Sequence, residues 1–456
     1  MTKLLNRKSY REFFQHIIVG LICIIMVMPT PVLVAQSPHI VPDGRTDTSL
    51  HVNGQVTDVH TGTVRGSTGW NSFDRFNVPG GYTTNLHVPG GANSLVNLVH
   101  NERTHIDGTL NAFRDGRIGG NIFFLNPHGI IVGQGGVVNV GSLHLQTPTQ
   151  DYMRQLLNEH GQISAVHEQM LFEGRVPISP SGLISVKGTV NAVDEIQFTA
   201  GEIDLARGSR LRAGTQVQVE FGNLVNVEPL NWGNELVRTP DGRIRIVAAG
   251  DVVAAGQVSV DAAPGENAGQ IEILAGNDIR INDGAEITAR GVGANSDGGS
   301  VVILADRDSY IADGAIVDVS AVNGLGGFLE FSAAQTANIQ GIGLLSSYGG
   351  AILIEPTVVN WTGSGTDIYH TGGAELIVRG RDITLDGITI SSRQIAEANT
   401  RDNHLYRDSI GDSRNITIEA KTLEMINSVI LAHATWDSSS AFSSAMLKPM
   451  SSLMAR

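Results

Sequence analysis

The feature that most constrains this chain is a segment that returns. Gln270-Ile271-Glu272-Ile273-Leu274-Ala275-Gly276-Asn277-Asp278 comes back 30 residues later as Ser300-Val301-Val302-Ile303-Leu304-Ala305-Asp306-Arg307-Asp308. The register then holds, Ile281-Asn282-Asp283-Gly284-Ala285 matching Ile311-Ala312-Asp313-Gly314-Ala315. A more closely spaced copy lies at 243–251 and a looser one at 195–202. Each unit reads as an alternating strand, a Gly/Asp/Asn turn, a second strand and another turn. One such unit cannot bury its apolar side alone, so copies must stack on one another. Alternation puts Ile271 and Ile273, and then Val301 and Ile303, on one inward side. The small Ala275 and Ala305 fit corners where bulk would clash. The expected fold is therefore all-β, a right-handed parallel β-helix; a series of β-sandwiches is the competing architecture, disfavoured by the tight register. The 54 glycines among 456 residues then punctuate coils rather than loosen loops. A formal charge of −14 argues against a nucleic-acid partner, because phosphate neutralisation needs a basic face.

The first residues read as an address. Lys3, Arg7, Lys8 and Arg11 precede an apolar run from Ile17 to Val27, broken by Pro29 and Pro31, with Leu33-Val34-Ala35 as a cleavage point. The run is shorter than the roughly 20 residues that span a bilayer, and the layout is that of a secretory signal peptide at 1–35. The single cysteine, Cys23, falls inside it, so a chain cleaved near Ala35 has no cysteine at all. A disulfide-free chain is free to cross a second membrane as an unfolded thread; equally, a large core needs no staples. Near 150–170, Tyr152, Met153, Leu156 and Leu157 take helical spacing and predict a short helical excursion from the β structure.

The densest motifs lie between Asn71 and Thr147. Ser72-Phe73-Asp74-Arg75-Phe76-Asn77-Val78 is followed by Asn85-Leu86-His87-Val88-Pro89-Gly90-Gly91 and Ile106-Asp107-Gly108-Thr109-Leu110-Asn111-Ala112. Gly119-Gly120-Asn121-Ile122-Phe123-Phe124-Leu125 leads into Asn126-Pro127-His128-Gly129-Ile130. From the residues alone, Asn126-Pro127-His128-Gly129 is a β-turn, with Pro suited to its second position and Asn able to bond its own backbone. In order and spacing the whole set resembles the secretion domain of filamentous haemagglutinin-like exoproteins, the passengers of two-partner secretion. His128 stands where that family carries Asn, as in its leukotoxin-like adhesin branch. The resemblance implies an N-terminal secretion-domain cap on the solenoid. It also implies that Asn126, Pro127, His128, Gly129 and Ile130, with Ser72, Phe73, Phe76, Asn77 and Val78, form the secretion and recognition motif. The implied partner is an outer-membrane β-barrel transporter with periplasmic repeat domains, and a host-cell or glycan receptor is a second candidate. The implied setting is secretion through the periplasm of a Gram-negative bacterium to the medium or cell surface.

The expected organisation is a signal peptide at 1–35, the secretion domain at 36–148, a helical and loop insertion at 149–182, β-helix repeats at 183–335 and further β-rich repeats at 336–437. An irregular tail follows at 438–456. In the later repeats Gly349-Gly350-Ala351-Ile352-Leu353-Ile354-Glu355-Pro356 resembles a signature found after the repeats of such adhesins. The tail lacks the polar cap a solenoid needs, which reads as a truncated gene or a short exoprotein. Catalytic patterns are scarce. His167-Glu168 has no second histidine in zinc-helix spacing, and neither a nucleophile elbow nor a phosphate-binding loop occurs. His51, His60, His87, His100 and His105 lack metal-ligand spacing and read as surface or turn residues. No catalytic, metal or cofactor residue is assigned, and the chain is read as a non-enzymatic adhesin. The alternatives are a polysaccharide lyase or hydrolase, since β-helices often host them, and a leukotoxin-like cytotoxin.

Overall fold

A computed structural model describes residues 38–214, 217, 242–392 and 415–431, and the backbone of 446–447. The expected signal peptide at 1–35 lies outside the described residues, as does most of the tail at 438–456, of which Met446–Leu447 is a short strand. The described residues from Ile40 onward form a parallel β-helix. Each coil lays down strands on three faces, and each strand pairs in parallel with its equivalent one coil away.

On the first face the returning segment fixes the register. Ile244 pairs with Ile271, Ile271 with Val301 and Val301 with Leu329. The same column runs back through Ile196, Leu143, Ile122 and Leu95, and on to Ile352, Leu376 and Ile416. All of these side chains are buried. The period-2 pattern of each strand supplies the column, and each aliphatic taken from water contributes about 1.5–3 kcal/mol. The corner alanines behave as their size requires: Ala248, Ala275, Ala305 and Ala333 stack in register and are buried. The second face carries Leu205, Ala254, Ile281, Ile311, Ile339 and Trp361, and the third Leu211, Val258, Ile287, Val317 and Leu344, all inward. Crossovers between parallel strands take the right hand almost without exception.

A ladder of glycines makes one corner. The residue after each glycine donates its amide to the glycine carbonyl one coil back: Gln270 to Gly242, Ser300 to Gly269, Phe328 to Gly299 and Ala351 to Gly327, at 2.9–3.1 Å. A Cβ on Gly269, Gly299 or Gly327 would sit 1.9–2.0 Å from that same carbonyl oxygen. Only a residue without a side chain lets the backbones approach so closely.

Two features depart from the plain solenoid. At the N-terminal end Ile40–Pro42 pairs antiparallel with the strand Thr68–Val78, and the hairpin Thr48–Asn53/Val56–Thr61 lies beside Thr83–His87. These antiparallel elements cap the stack. The second is the helical excursion, two short helices at Gln150–Leu156 and Ala165–Phe172. Thr149 caps the first, its Oγ1 accepting the Tyr152 amide at 3.3 Å. The excursion interrupts the chain without breaking the stack, since Leu143 still pairs with Ile196. Its Tyr152, Met153, Leu156, Leu157 and Leu171 pack against Trp70, Val96, Leu98, Phe123 and Leu125, on the outside of the first face. That is why Ser94–Val99 is buried on both sides. No helix among the described residues is long and apolar enough to cross a membrane.

Candidate functional site

The two expected motifs meet at one corner, built from the turns of three successive coils. The third of these turns is Asn126-Pro127-His128-Gly129. The Asn126 carbonyl accepts the Gly129 amide at 3.1 Å, closing the β-turn. The fully buried Asn126 side chain then holds the turn to its neighbours. Its Oδ1 accepts the His128 amide at 2.9 Å, while its Nδ2 donates to the Glu102 carbonyl at 2.8 Å and to Thr104 Oγ1 at 2.9 Å. Gly129 has φ 103°, and a Cβ there would lie 2.7 Å from the Leu183 carbonyl oxygen of the next coil. Ile130 points inward, fully buried, between Thr104 and Ile184.

The other motif divides by side. Phe73, Phe76 and Val78 are fully buried core residues. Phe76 meets Phe73 and Phe124 edge to face, each at 5.1 Å. Asn77 Oδ1 accepts the His105 amide at 2.8 Å, tying one coil to the next. Ser72 is buried on the polar side. Its amide donates to Thr46 Oγ1 at 2.9 Å and its hydroxyl donates to Asp43, which also pairs with Arg45 at 2.7 Å.

His100, read from the sequence as an ordinary turn residue, joins the two motifs. Its Nε2 lies 3.1 Å from Ser72 Oγ, and its backbone carbonyl meets His128 Nε2 at 3.0 Å. Arg103 donates from Nε to the His128 carbonyl at 2.9 Å. Burial, with Arg45 close by and Asp43 opposing, holds the His100 imidazole down at about 4, so it is neutral here. The sequence does hold a signal for this junction: Ser72, His100 and His128 are spaced by 28 residues each, one coil apart. Phe73, Phe76, Val78 and Ile130, by contrast, lie in the core and present nothing outward.

The group Ser72–His100–Asp43 does not have the geometry of a nucleophilic triad. There the carboxylate orients the ring nitrogen opposite the one facing the hydroxyl; here Asp43 approaches the same Nε2, at 3.7 Å. The cluster fastens the first coil to the second. Between the corner and the first helix lies a pocket of about 510 Å³, lined by Arg45, Asp74, His100, Pro127, Met153 and Arg154 among others. Among the described residues, no group of three or more His, Cys, Asp and Glu side chains is placed to hold a metal ion.

The TPS secretion-domain family model matches residues 38–317. Among solved structures, the HMW1 secretion domain from Haemophilus influenzae is similar at 14% identity and a TM-score of 0.36, over 86% of this chain and 98% of that one. The filamentous hemagglutinin secretion domain is similar at 13% identity and a TM-score of 0.32, over 87% of this chain and 100% of that one. No curated protein matches the chain.

Proposed function

This chain belongs to the TPS secretion-domain family, and from that membership we propose that it is an exoprotein whose N-terminal domain is recognised by a dedicated outer-membrane β-barrel transporter. The segments that carry Ser72, His100, Asn126 and His128 are the recognition element, read by the transporter while the chain is still unfolded, and the aliphatic column behind the corner they later form is the folding element. The chain crosses the outer membrane unfolded and winds into its β-helix outside the cell. Stacking each new coil buries another rung of the column, so sliding back becomes unfavourable without any nucleotide at the cell surface. The mature protein then serves adhesion to cells or surfaces. The observation that carries this reading is the family match across 38–317, which spans both motifs that meet at the corner.

The test separates recognition from folding in the full chain. Asn126→Ala removes the side chain that holds the turn, whereas Trp361→Ala removes a fully buried core residue far along the chain. In a producing strain, Asn126→Ala is expected to leave most of the protein in the periplasm, while Trp361→Ala still reaches the medium. Equal export of Asn126→Ala and the parent chain, or an equal block by both substitutions, contradicts a recognition role for these segments.

A further inference from the structure

Three histidines line up on the outer side of the N-terminal cap. His51 belongs to the strand Thr48–Asn53, His60 to Val56–Thr61 and His87 to Thr83–His87. The His60 and His87 rings stack at 4.2 Å with 9° between their planes, and His51 meets His60 edge-on at 6.2 Å. Beyond them His87 stacks on Phe113 of the next coil, at 5.8 Å. One carboxylate serves the group: Asp58 Oδ1 lies 2.9 Å from His87 Nε2 and accepts the Asn85 amide at 3.0 Å.

The part of the fold they hold is weakly anchored. In the strand Thr48–Asn53, Ser49, His51, Val52 and Asn53 are exposed, Val52 by 69%. The hairpin's inward apolar contribution is Val59, with Leu50 packed partly against the core. The hairpin is joined to the stack by four parallel pairs, Val56–Val59 against Thr83–Leu86, and by the hydroxyls of Thr48 and Thr61, which donate to Asn71 Oδ1 at 2.8 Å and to the Trp70 carbonyl at 2.6 Å. An element with so little buried surface opens at a free energy far below that of the whole molecule.

We propose that this hairpin is an acid-released latch, shut when the His51–His60–His87 ladder is neutral and opened when the central ring, His60, is charged beside a charged neighbour. Stacked imidazoles tolerate one cation, which Asp58 compensates. A second cation 4.2 Å away has no carboxylate of its own. The charged and titratable groups acting on His60 are His51 from one neighbouring strand, His87 from the other and Asp58 from its own. Burial and the two histidines hold its proton affinity down, with Asp58 opposing. A histidine whose folded affinity for protons is depressed contributes stability that is complete above its unfolded value near 6.5 and is lost as pH falls. Opening frees the edge of Thr83–His87, a row of unpaired backbone groups able to accept another strand.

Hydrogen exchange on the full protein at pH 7.5 and 5.0, corrected for intrinsic rates, tests the latch. Protection in 48–61 and 83–87 is expected to fall about tenfold at pH 5.0, while 270–305 is unchanged. His60→Phe keeps a stacking ring but cannot be protonated, and is expected to hold protection at pH 5.0 near its own value at pH 7.5. Asp58→Asn keeps the acceptor but removes the compensating charge, and is expected to move the opening midpoint to higher pH. A merely structural role for these side chains predicts no such directional shift. The latch is overturned if 48–61 is equally protected at both pH values, if His60→Phe opens with acid as the parent does, or if Asp58→Asn leaves the midpoint in place or lowers it.

Discussion

At the residue scale, most of what matters lies in side chains that bond one coil to the next. Asn126 is the clearest, satisfying groups from the second coil and from its own turn with one amide. Asn126→Ala removes the donor to the buried Thr104 hydroxyl together with the partners of the Glu102 carbonyl and the His128 amide, and is expected to cost about 1–3 kcal/mol in urea unfolding. A parallel chain of amides runs along the third face, from Asn191 to Asn139 to Asn111 to Asn85 and on to Asp58, at 2.9–3.1 Å. Two buried histidines contribute to the acid response of the stack. Burial, with Arg45, holds His100 at about 4, and burial holds His144, which stacks on Phe123, at about 4 despite its bond to Gln197. Both folded values lie below the unfolded one, so the unfolded chain binds more protons between about pH 4 and 6.5, and stability falls as pH drops through that window. His144→Gln is expected to shrink the stability difference between pH 7.5 and 4.5 by about 2 kcal/mol, read from denaturation midpoints at the two pH values. The turn chemistry of Asn126-Pro127-His128-Gly129 was legible because it is local. The junction at His100 was not, because its partners stand one coil away on either side, and only the shared spacing of 28 marks them.

At the element scale, the strands and corners follow from patterns written within each repeat. Alternation in 270–275 and 300–305, and the alanine that ends each, place the column and the corner without further information. The glycine ladder makes a sharp test of that corner. Gly299→Ala would bring a Cβ to 2.0 Å from the Gly269 carbonyl oxygen, whereas a Cβ at Gly90 meets nothing within 4 Å. Gly299→Ala is expected to cost more than about 2 kcal/mol, in the range of overpacked cores, and Gly90→Ala close to none, by the same unfolding measurement. The helices were legible from the spacing of Tyr152, Met153, Leu156 and Leu157, but what they cover was not. Its signal was a broken alternation: Val96, Leu98, Phe123 and Leu125 are apolar on the side that should face water. Leu156→Ala is expected to cost about 2–5 kcal/mol and to move the emission of the buried Trp70 to the red, since that ring lies under the excursion.

At the scale of the whole molecule, a solenoid's contacts run from each coil to its neighbours, so its folding can proceed one coil at a time from the end that emerges first. The chain is suited to that route. Its only cysteine is Cys23, so no cross-link between later residues obstructs an extended thread. The antiparallel cap begins at Ile40, ahead of the first parallel coils, and the corner that joins both motifs is complete by Ile130. The measurement that tests the central claim most directly is the distribution of the full chain in a Gram-negative host, with and without its partner outer-membrane transporter. With the transporter the protein is expected in the medium, folded and protease-resistant across 243–354; without it, in the periplasm. Equal amounts in the medium in both strains, or retention in the periplasm when the transporter is present, would contradict it.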